Sequence, residues 1–293
     1  MFRLDDLITR AAERTPEAIA LCEGEREVSY AALSAETMAF AHGLLKLGLQ
    51  RGERIGIYLD KRVATVVASF GSCAAGGVFV PINPVLKAPQ VAHILRDCNV
   101  RYLVTSPERA DSLHEILPDC PDLAGLILTA PQQQATTRPV TLWEEMLAAT
   151  PATPHRVTDA DIAAIFYTSG STGKAKGVVL SHRNLLAGAA SVACYLENRA
   201  DDVLLAALPL SFDAGFSQLT TAFHAGARVV LLNYLLPQDV LKALARYRVT
   251  GLTAVPPLYI QLAALRWPEN LDSHLHYFAN TGGVMPQETL ATL

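Results

Sequence analysis

Cysteine is scarce and unpatterned in this chain. The five residues Cys22, Cys73, Cys98, Cys120 and Cys194 are odd in number and show no CxxC or zinc-type spacing. That excludes a disulfide scaffold and a structural zinc site, and reads as reduced thiols in a cytoplasmic protein. A strong charge of either sign is missing as well. The formal net charge is -4 over 293 residues, which excludes an electrostatic grip on nucleic acid. Histidines lack metal spacing: His224, His274 and His276 are scattered, and His182 reads as the start of a helix rather than a catalytic group. The opening stretch MFRLDDLITRAAERTPEA places acids and arginines where a secretion signal needs an apolar core. Long unbroken apolar runs are absent too. Val63 to Ile82 carries no charge, but Gly71, Gly76, Gly77 and Pro81 divide it into a buried helix and a short strand, so no membrane span is expected. There is no internal repeat and no heptad array.

What is present is hydrophobic residue, 51% of the chain, in alternating strand and helix patterns. Strands are expected at Arg54 to Leu59, Val78 to Val80, Arg101 to Val104, Gly125 to Leu128, Ile162 to Phe166, Val178 to Leu180, Val203 to Ala207, Val229 to Leu232 and Gly251 to Val255. Helical spacing runs over Tyr30 to Leu47, Val63 to Ala75, Arg183 to Tyr195 and the stretch after Pro237, with a brief pattern from Leu142 to Ala148 and another from Gln287 to Thr292. Alternation of this kind is the signature of βαβ units, hence an α/β fold with mostly parallel sheets. From Ala130 to Asp159 the chain turns rich in Gln, Thr and Pro. This suggests two subdomains, residues 1–157 and 158–293.

The densest signal is YTSGSTGKAKG, from Tyr167 to Gly177. It lies between two apolar strands, where open α/β sheets bind ligands. Gly170 and Gly173 permit close backbone approach. Thr168, Ser169, Ser171 and Thr172 add hydroxyl donors, and Lys174 and Lys176 add positive charge, so the run suits a phosphate. A plain Gly/Ser surface turn is the bland alternative. A Walker A loop is excluded by spacing, since only Ser171 and Thr172 separate Gly170 from Gly173 and Ala175 follows Lys174. A second constellation, LPLSFDAGF from Leu208 to Phe216, ends a strand on an aspartate. Asp213 reads either as a carboxylate facing a cleft or as the cap of the next helix. Two further segments, AVPPLY from Ala254 to Tyr259 and NTGGVMP from Asn280 to Pro286, are candidates to close a pocket.

On these residues, with VSYAALS (Val28 to Ser34) and AAGGVFVPINP (Ala74 to Pro84), the whole chain resembles the adenylate-forming superfamily of acyl-CoA synthetases, luciferases and peptide-synthetase adenylation domains. Within it, the wording from Ser211 to Gly283 is similar to the acyl-CoA ligase group associated with exosortase systems. Ala175 departs from the family's usual proline, and Gly215 from a serine common in the peptide-synthetase pattern. The resemblance implies the large N-terminal domain of such an enzyme, incomplete, with stacked sheets flanked by helices. It implies two-step chemistry: ATP with Mg2+ activates a carboxylic acid, and a thiol, coenzyme A or the phosphopantetheine of an acyl carrier protein, takes the acyl group. Lys176 would be catalytic, and Thr168, Ser169, Gly170, Ser171, Thr172, Gly173 and Lys174 would bind the nucleotide. Phe212, Asp213, Phe216, Ser217, Thr281, Gly282 and Gly283 would bind the acid, with Asp213 as an amine anchor and Phe212, Phe216 and Ser217 as pocket walls. No residue is assigned to a metal. Since relatives continue beyond the NTGG turn, the chain is expected to bind ATP weakly and turn over little by itself. An amino-acid adenylation module and a non-catalytic interaction protein are the alternatives.

Overall fold

The computed structural model describes residues 3–132, 134, 136–168, 175–269 and 271–293. Helix α1 (Asp6–Arg14) leads to a ribbon of β1 (Ile19–Glu23) and β2 (Arg26–Ser29). Then follow α2 (Tyr30–Lys46), β3 (Arg54–Tyr58), α3 (Val63–Ala75), β4 (Val78–Pro81), α4 (Ala88–Asp97), β5 (Val100–Thr105), α5 (Pro107–Ser112), β6 (Gly125–Leu128), β7 (Val140–Leu142) and α6 (Trp143–Leu147). The remainder comprises β8 (Ile162–Thr168), β9 (Lys176–Ser181), α7 (His182–Tyr195), β10 (Val203–Ala206), α8 (Asp213–Ala225), β11 (Arg228–Leu231), α9 (Pro237–Arg246), β12 (Gly251–Ala254), α10 (Pro256–Ala263), β13 (Tyr277–Asn280) and α11 (Gln287–Thr292).

Among the described residues the strands form two sheets. One has seven strands in the order β7-β6-β5-β3-β4-β8-β9, the other six in the order β13-β12-β10-β11-β1-β2. Each is parallel except for an antiparallel hairpin at one edge, β8 with β9 and β1 with β2. Sheet membership does not follow the division at residue 157. The hairpin after it joins the first sheet, and the ribbon near the N-terminus joins the second.

Both sheets bury two faces, and their side chains alternate accordingly. Ile55, Ile57, Phe79 and Val104 point from the first sheet into a central cluster shared with Leu204, Ala206, Val229 and Leu231 of the second. Leu103, Leu126 and Leu128 point outward to α4 and α5, whereas Cys22, Val203, Leu205 and Val230 point outward to α9 and α10. The architecture is therefore helices, sheet, helices, sheet, helices, with α3 and α8 in the middle layer. Every residue of α3 from Thr65 to Ala75 is buried, which explains a charge-free helix in a chain where no described helix is long and apolar enough to cross a membrane. Gly76 ends it with φ 88°, and a Cβ there would sit 2.7 Å from that of His155.

Two polar ties hold the layers in register. Lys61, directly after the first sheet, donates from Nζ to the carbonyls of Ala206 and Leu232 in the second, and burial lowers its pKa to about 7. The Leu4 N–H donates to Nδ1 of His182 at 3.0 Å, fastening the N-terminal segment to the first residue of α7. Burial lowers that imidazole to about 4, which keeps it neutral and able to accept. His182 is thus a structural acceptor.

Candidate functional site

The hairpin of β8 and β9 carries the glycine-rich run. Its last cross-strand pair joins Thr168 to Lys176, both exposed, so the candidate nucleotide-binding hydroxyl and the candidate catalytic ammonium stand side by side. Ser169, Gly170, Ser171, Thr172, Gly173 and Lys174 lie outside the described residues. The flanks of the run are held by a single helix. On α4, His93 and Asp97 stand one turn apart. The Tyr167 hydroxyl donates to Asp97 Oδ2 at 2.6 Å, and His93 Nε2 lies 3.0 Å from the Ala175 carbonyl. Burial and the Asp97 bond raise the Tyr167 phenol well above its ordinary range, so it remains a donor. Neither His93 nor Asp97 is marked by any sequence motif; only the tertiary structure lays α4 against Tyr167 and Ala175.

A cavity of about 360 Å³ opens between α7, α8 and the inner face of β10, β12 and β13. It is built by periodicity. On α8, Asp213, Ser217 and Thr221 recur every four residues and line it, while Phe216, Leu219 and Phe223 turn to the opposite side. On α7, Asn184, Gly188 and Val192 do the same, and Leu196 follows just past the end of the helix. The floor is Leu204, Gly251, Thr253, Tyr277 and Ala279. Gly251 is required by close approach, because a Cβ there would lie 2.3 Å from the Tyr277 ring.

The cavity mouth is at the C-terminal ends of the strands, where open α/β sheets receive ligands. Asp213 and Thr281 line it. Asp213 is the first residue of α8, one past the cap position. Its Oδ1 accepts the Ala214 N–H at 2.8 Å, while Phe212 at the cap offers no side-chain bond. The carboxylate therefore does two things: it sits where the helix dipole favours an anion, and it lines the cavity. No cation pairs with it among the described residues.

Phe216, expected as a pocket wall, is placed elsewhere. Its ring is 1% exposed and packs with Phe70, Phe79 and Phe166 at centroid distances of 5.6, 4.8 and 5.8 Å, inside the central core. The cause is helix geometry: three residues beyond Asp213 the chain has turned toward the sheets. Ser217, the next residue, does line the cavity. Phe212 is 41% exposed beside the mouth and is not among the lining residues. Gly215 also has a packing reason. A Cβ there would sit 1.9 Å from the Pro209 carbonyl oxygen, so a serine at this position is incompatible with this loop path. Gly282 adopts φ 73°, and Gly282 and Gly283 pack against Val255 and Pro256 of the AVPPLY segment, with the Asn280 amide donating to the Gly283 carbonyl at 2.7 Å.

Comparison with known proteins gives this geometry a family. Feruloyl-CoA synthase from Amycolatopsis sp is 32% identical over 262 residues, matching 88% of this chain and 50% of that protein. A linear gramicidin synthase chain from Brevibacillus parabrevis is 27% identical over 260 residues, again 88% of this chain but 3% of that much longer protein. The solved structure of the anthranilate CoA ligase AuaEII in complex with anthranoyl-AMP superposes with a TM-score of 0.89 at 23% identity, over 99% of this chain and 57% of that one, and so shows the same fold. The chain spans about half the length of feruloyl-CoA synthase. The family model described as AMP-binding enzyme matches residues 8–293, and the chain belongs to that family of adenylate-forming acyl-CoA ligases and their relatives.

Proposed function

We propose that this chain carries the nucleotide-binding and acid-binding parts of an AMP-forming acid–thiol ligase. One observation carries the reading. The return strand β9, which begins at Lys176, runs without a linker into α7, and the third residue of α7, Asn184, already lines the cavity. The phosphate-type hairpin and the acid-sized cavity are thereby built from one continuous segment.

In this reading the acid lies in the cavity with its carboxylate at the mouth. A carboxylate oxygen attacks the α-phosphorus of ATP; the bond to the bridging oxygen breaks and pyrophosphate leaves, giving an acyl adenylate. A thiolate, from coenzyme A or a carrier's phosphopantetheine, then attacks the acyl carbon and AMP leaves. Chemistry of this kind needs positioning and charge stabilisation rather than a protein nucleophile. Lys176 supplies positive charge and Thr168 a hydroxyl. His93 and Asp97 hold both flanks of the run that joins them. Among the described residues no group of three or more His, Cys, Asp or Glu could hold a metal ion.

Acid-dependent exchange of pyrophosphate into ATP tests the reading. The protein carrying this chain should support exchange with a subset of short carboxylic acids, and Lys176→Ala should lower it at least about tenfold, the scale of one charge-assisted contact. Absence of both exchange and calorimetric ATP binding would sink the reading in favour of a non-catalytic role. Amino-acid adenylation is the second reading, and the position of Asp213 favours it: an exposed carboxylate that lines the cavity, with no cation paired to it among the described residues, is placed to meet an ammonium brought by the substrate. Asp213→Ala should then abolish exchange with amino acids while sparing exchange with plain acids.

A further inference from the structure

Side chains of the β8–β9 hairpin divide between its two faces. Ala164, Phe166 and Leu180 turn into the central cluster, whereas Ile165, Tyr167 and Ala175 pack against the outer cluster that contains Val91 and Leu95 of α4. Paired residues share a face, and successive residues alternate between faces. Thr168 and Lys176, the last pair, therefore stand on the inner face with Phe166, and each directly follows a residue anchored on the outer face.

That end of the hairpin is held from few directions. β9 is the edge strand of its sheet among the described residues, and Lys176 to Val179 are exposed. A one-residue slip of either strand would turn its member of the last pair to the outer face. Two polar bonds from α4 oppose such a slip, one to each strand. The Asp97 carboxylate accepts the Tyr167 hydroxyl at 2.6 Å, directly before Thr168. His93 Nε2 reaches the Ala175 carbonyl at 3.0 Å, directly before Lys176, and because a carbonyl only accepts, this nitrogen carries the hydrogen. The two pins also touch each other: the His93 and Tyr167 rings meet edge to face with centroids 6.4 Å apart. Gly177 leaves room for the phenol, since a Cβ there would lie 2.7 Å from Ile165 and 3.3 Å from the Tyr167 ring.

We propose that His93 and Asp97 are positioning residues for acyl-adenylate formation: by pinning the residues before Lys176 and Thr168 to α4, they fix the ammonium and the hydroxyl on the inner face of the hairpin. The inference rests on the reading that those two groups meet the phosphates of ATP. Both pins hold the hairpin from its outer side, so they act by placement and not by contact with the nucleotide. Placement of this kind is consequential, because an error of about 1 Å at the reacting groups costs on the order of a hundredfold in rate.

Acid-dependent pyrophosphate exchange by the protein carrying this chain tests the proposal. His93→Ala and Asp97→Ala should each lower kcat about tenfold with KM for ATP within about twofold, because the misplaced groups stabilise charge that develops in the transition state. His93→Gln, which keeps an N–H, and Asp97→Asn, which keeps a carbonyl acceptor, should recover most of the rate. In a Lys176→Ala background His93→Ala should cost less than about twofold, since its effect runs through that lysine. Alanine variants with the parent's kcat, or a His93→Ala loss as large without Lys176 as with it, would overturn the inference and leave the ligase reading standing. Amide hydrogen exchange over residues 166–168 and 176–178 gives a readout that needs no activity. It should quicken about tenfold in both alanine variants and stay near the parent's rate in His93→Gln, and an unchanged rate in the alanine variants would also overturn the inference. If the amides respond but the parent supports no pyrophosphate exchange, the ligase reading fails and takes the positioning role with it, leaving α4 as a structural clamp.

Discussion

Near β4 and β8 the central helical layer is filled by the rings of Phe70, Phe79, Phe166, Phe216 and Phe223, whose neighbouring centroids lie 4.8 to 5.8 Å apart, whereas near β12 and β13 the same layer opens into a cavity. One helix serves both ends. The Phe216, Leu219 and Phe223 side of α8 closes the core, and its Asp213, Ser217 and Thr221 side bounds open space. The partner helices differ in the same sense. α3 is buried from Thr65 to Ala75, while α7 buries only His182, Ala189 and Ala193. Large rings make a rigid closed layer, and small or hydroxylated residues leave room that packing alone would not tolerate. The contrast separates residues that hold the fold from residues that choose what enters it.

The largest break in that contrast is Phe216→Ala. Deleting a ring from the closed end should cost about 3–5 kcal/mol, read as a shifted midpoint in urea unfolding. If the cost were below about 1 kcal/mol, Phe216 would belong to the open end after all. Gly251→Ala attacks the open end through its floor. Its Cβ would meet the Tyr277 ring at 2.3 Å, so the ring must move into the cavity. We expect about 1–3 kcal/mol of destabilisation and loss of acid binding, measured by calorimetry.

The tie that holds α7 gives a smaller, pH-dependent effect. His182 has a folded pKa lowered to about 4, so the unfolded chain binds more protons between pH 4 and 6.5, and stability falls on acidification through that window. Asp5, buried beside Arg3, has a pKa raised to about 6 by burial; the folded chain binds more protons between 3.8 and 6, and stability rises on acidification there. The two slopes oppose each other. Asp5→Asn should therefore steepen acid destabilisation between pH 6 and 4 by up to about 1.4 kcal/mol per pH unit relative to the parent, read from urea midpoints at several pH values. An unchanged slope would remove Asp5 from the account. The smallest effect is Ser217→Ala, one residue from Phe216 but on the open side. It should alter stability by within about 0.5 kcal/mol, and a larger loss would show that the cavity wall is also part of the core.

Much of the fold is legible in the amino-acid order, and the exceptions share a cause. Val63 to Ala75 emerges with the expected bounds, as does the strand Gly125 to Leu128, because local periodicity and glycine stops decide them. The ribbon β1–β2 carries no local sign of belonging to the second sheet, since its pairing with β11 joins residues about two hundred positions apart. Phe216 reads with its motif neighbours. Only the turn of α8 against two sheets shows that Ser217 and Phe216 face opposite ways. Tyr277, His93 and Asp97 carry no motif at all; their places come from strand register in the cavity floor and from a helix laid beside a hairpin.

By itself, then, the amino-acid order determined the alternating elements, the glycine-rich run from Tyr167 to Gly177 and the family to which they point, because each depends on neighbours within a turn or a strand. Tertiary structure decided which side of α8 is core and which is cavity, and which distant helix anchors the hairpin. Those depend on packing between layers, where a side chain's role is set by what faces it.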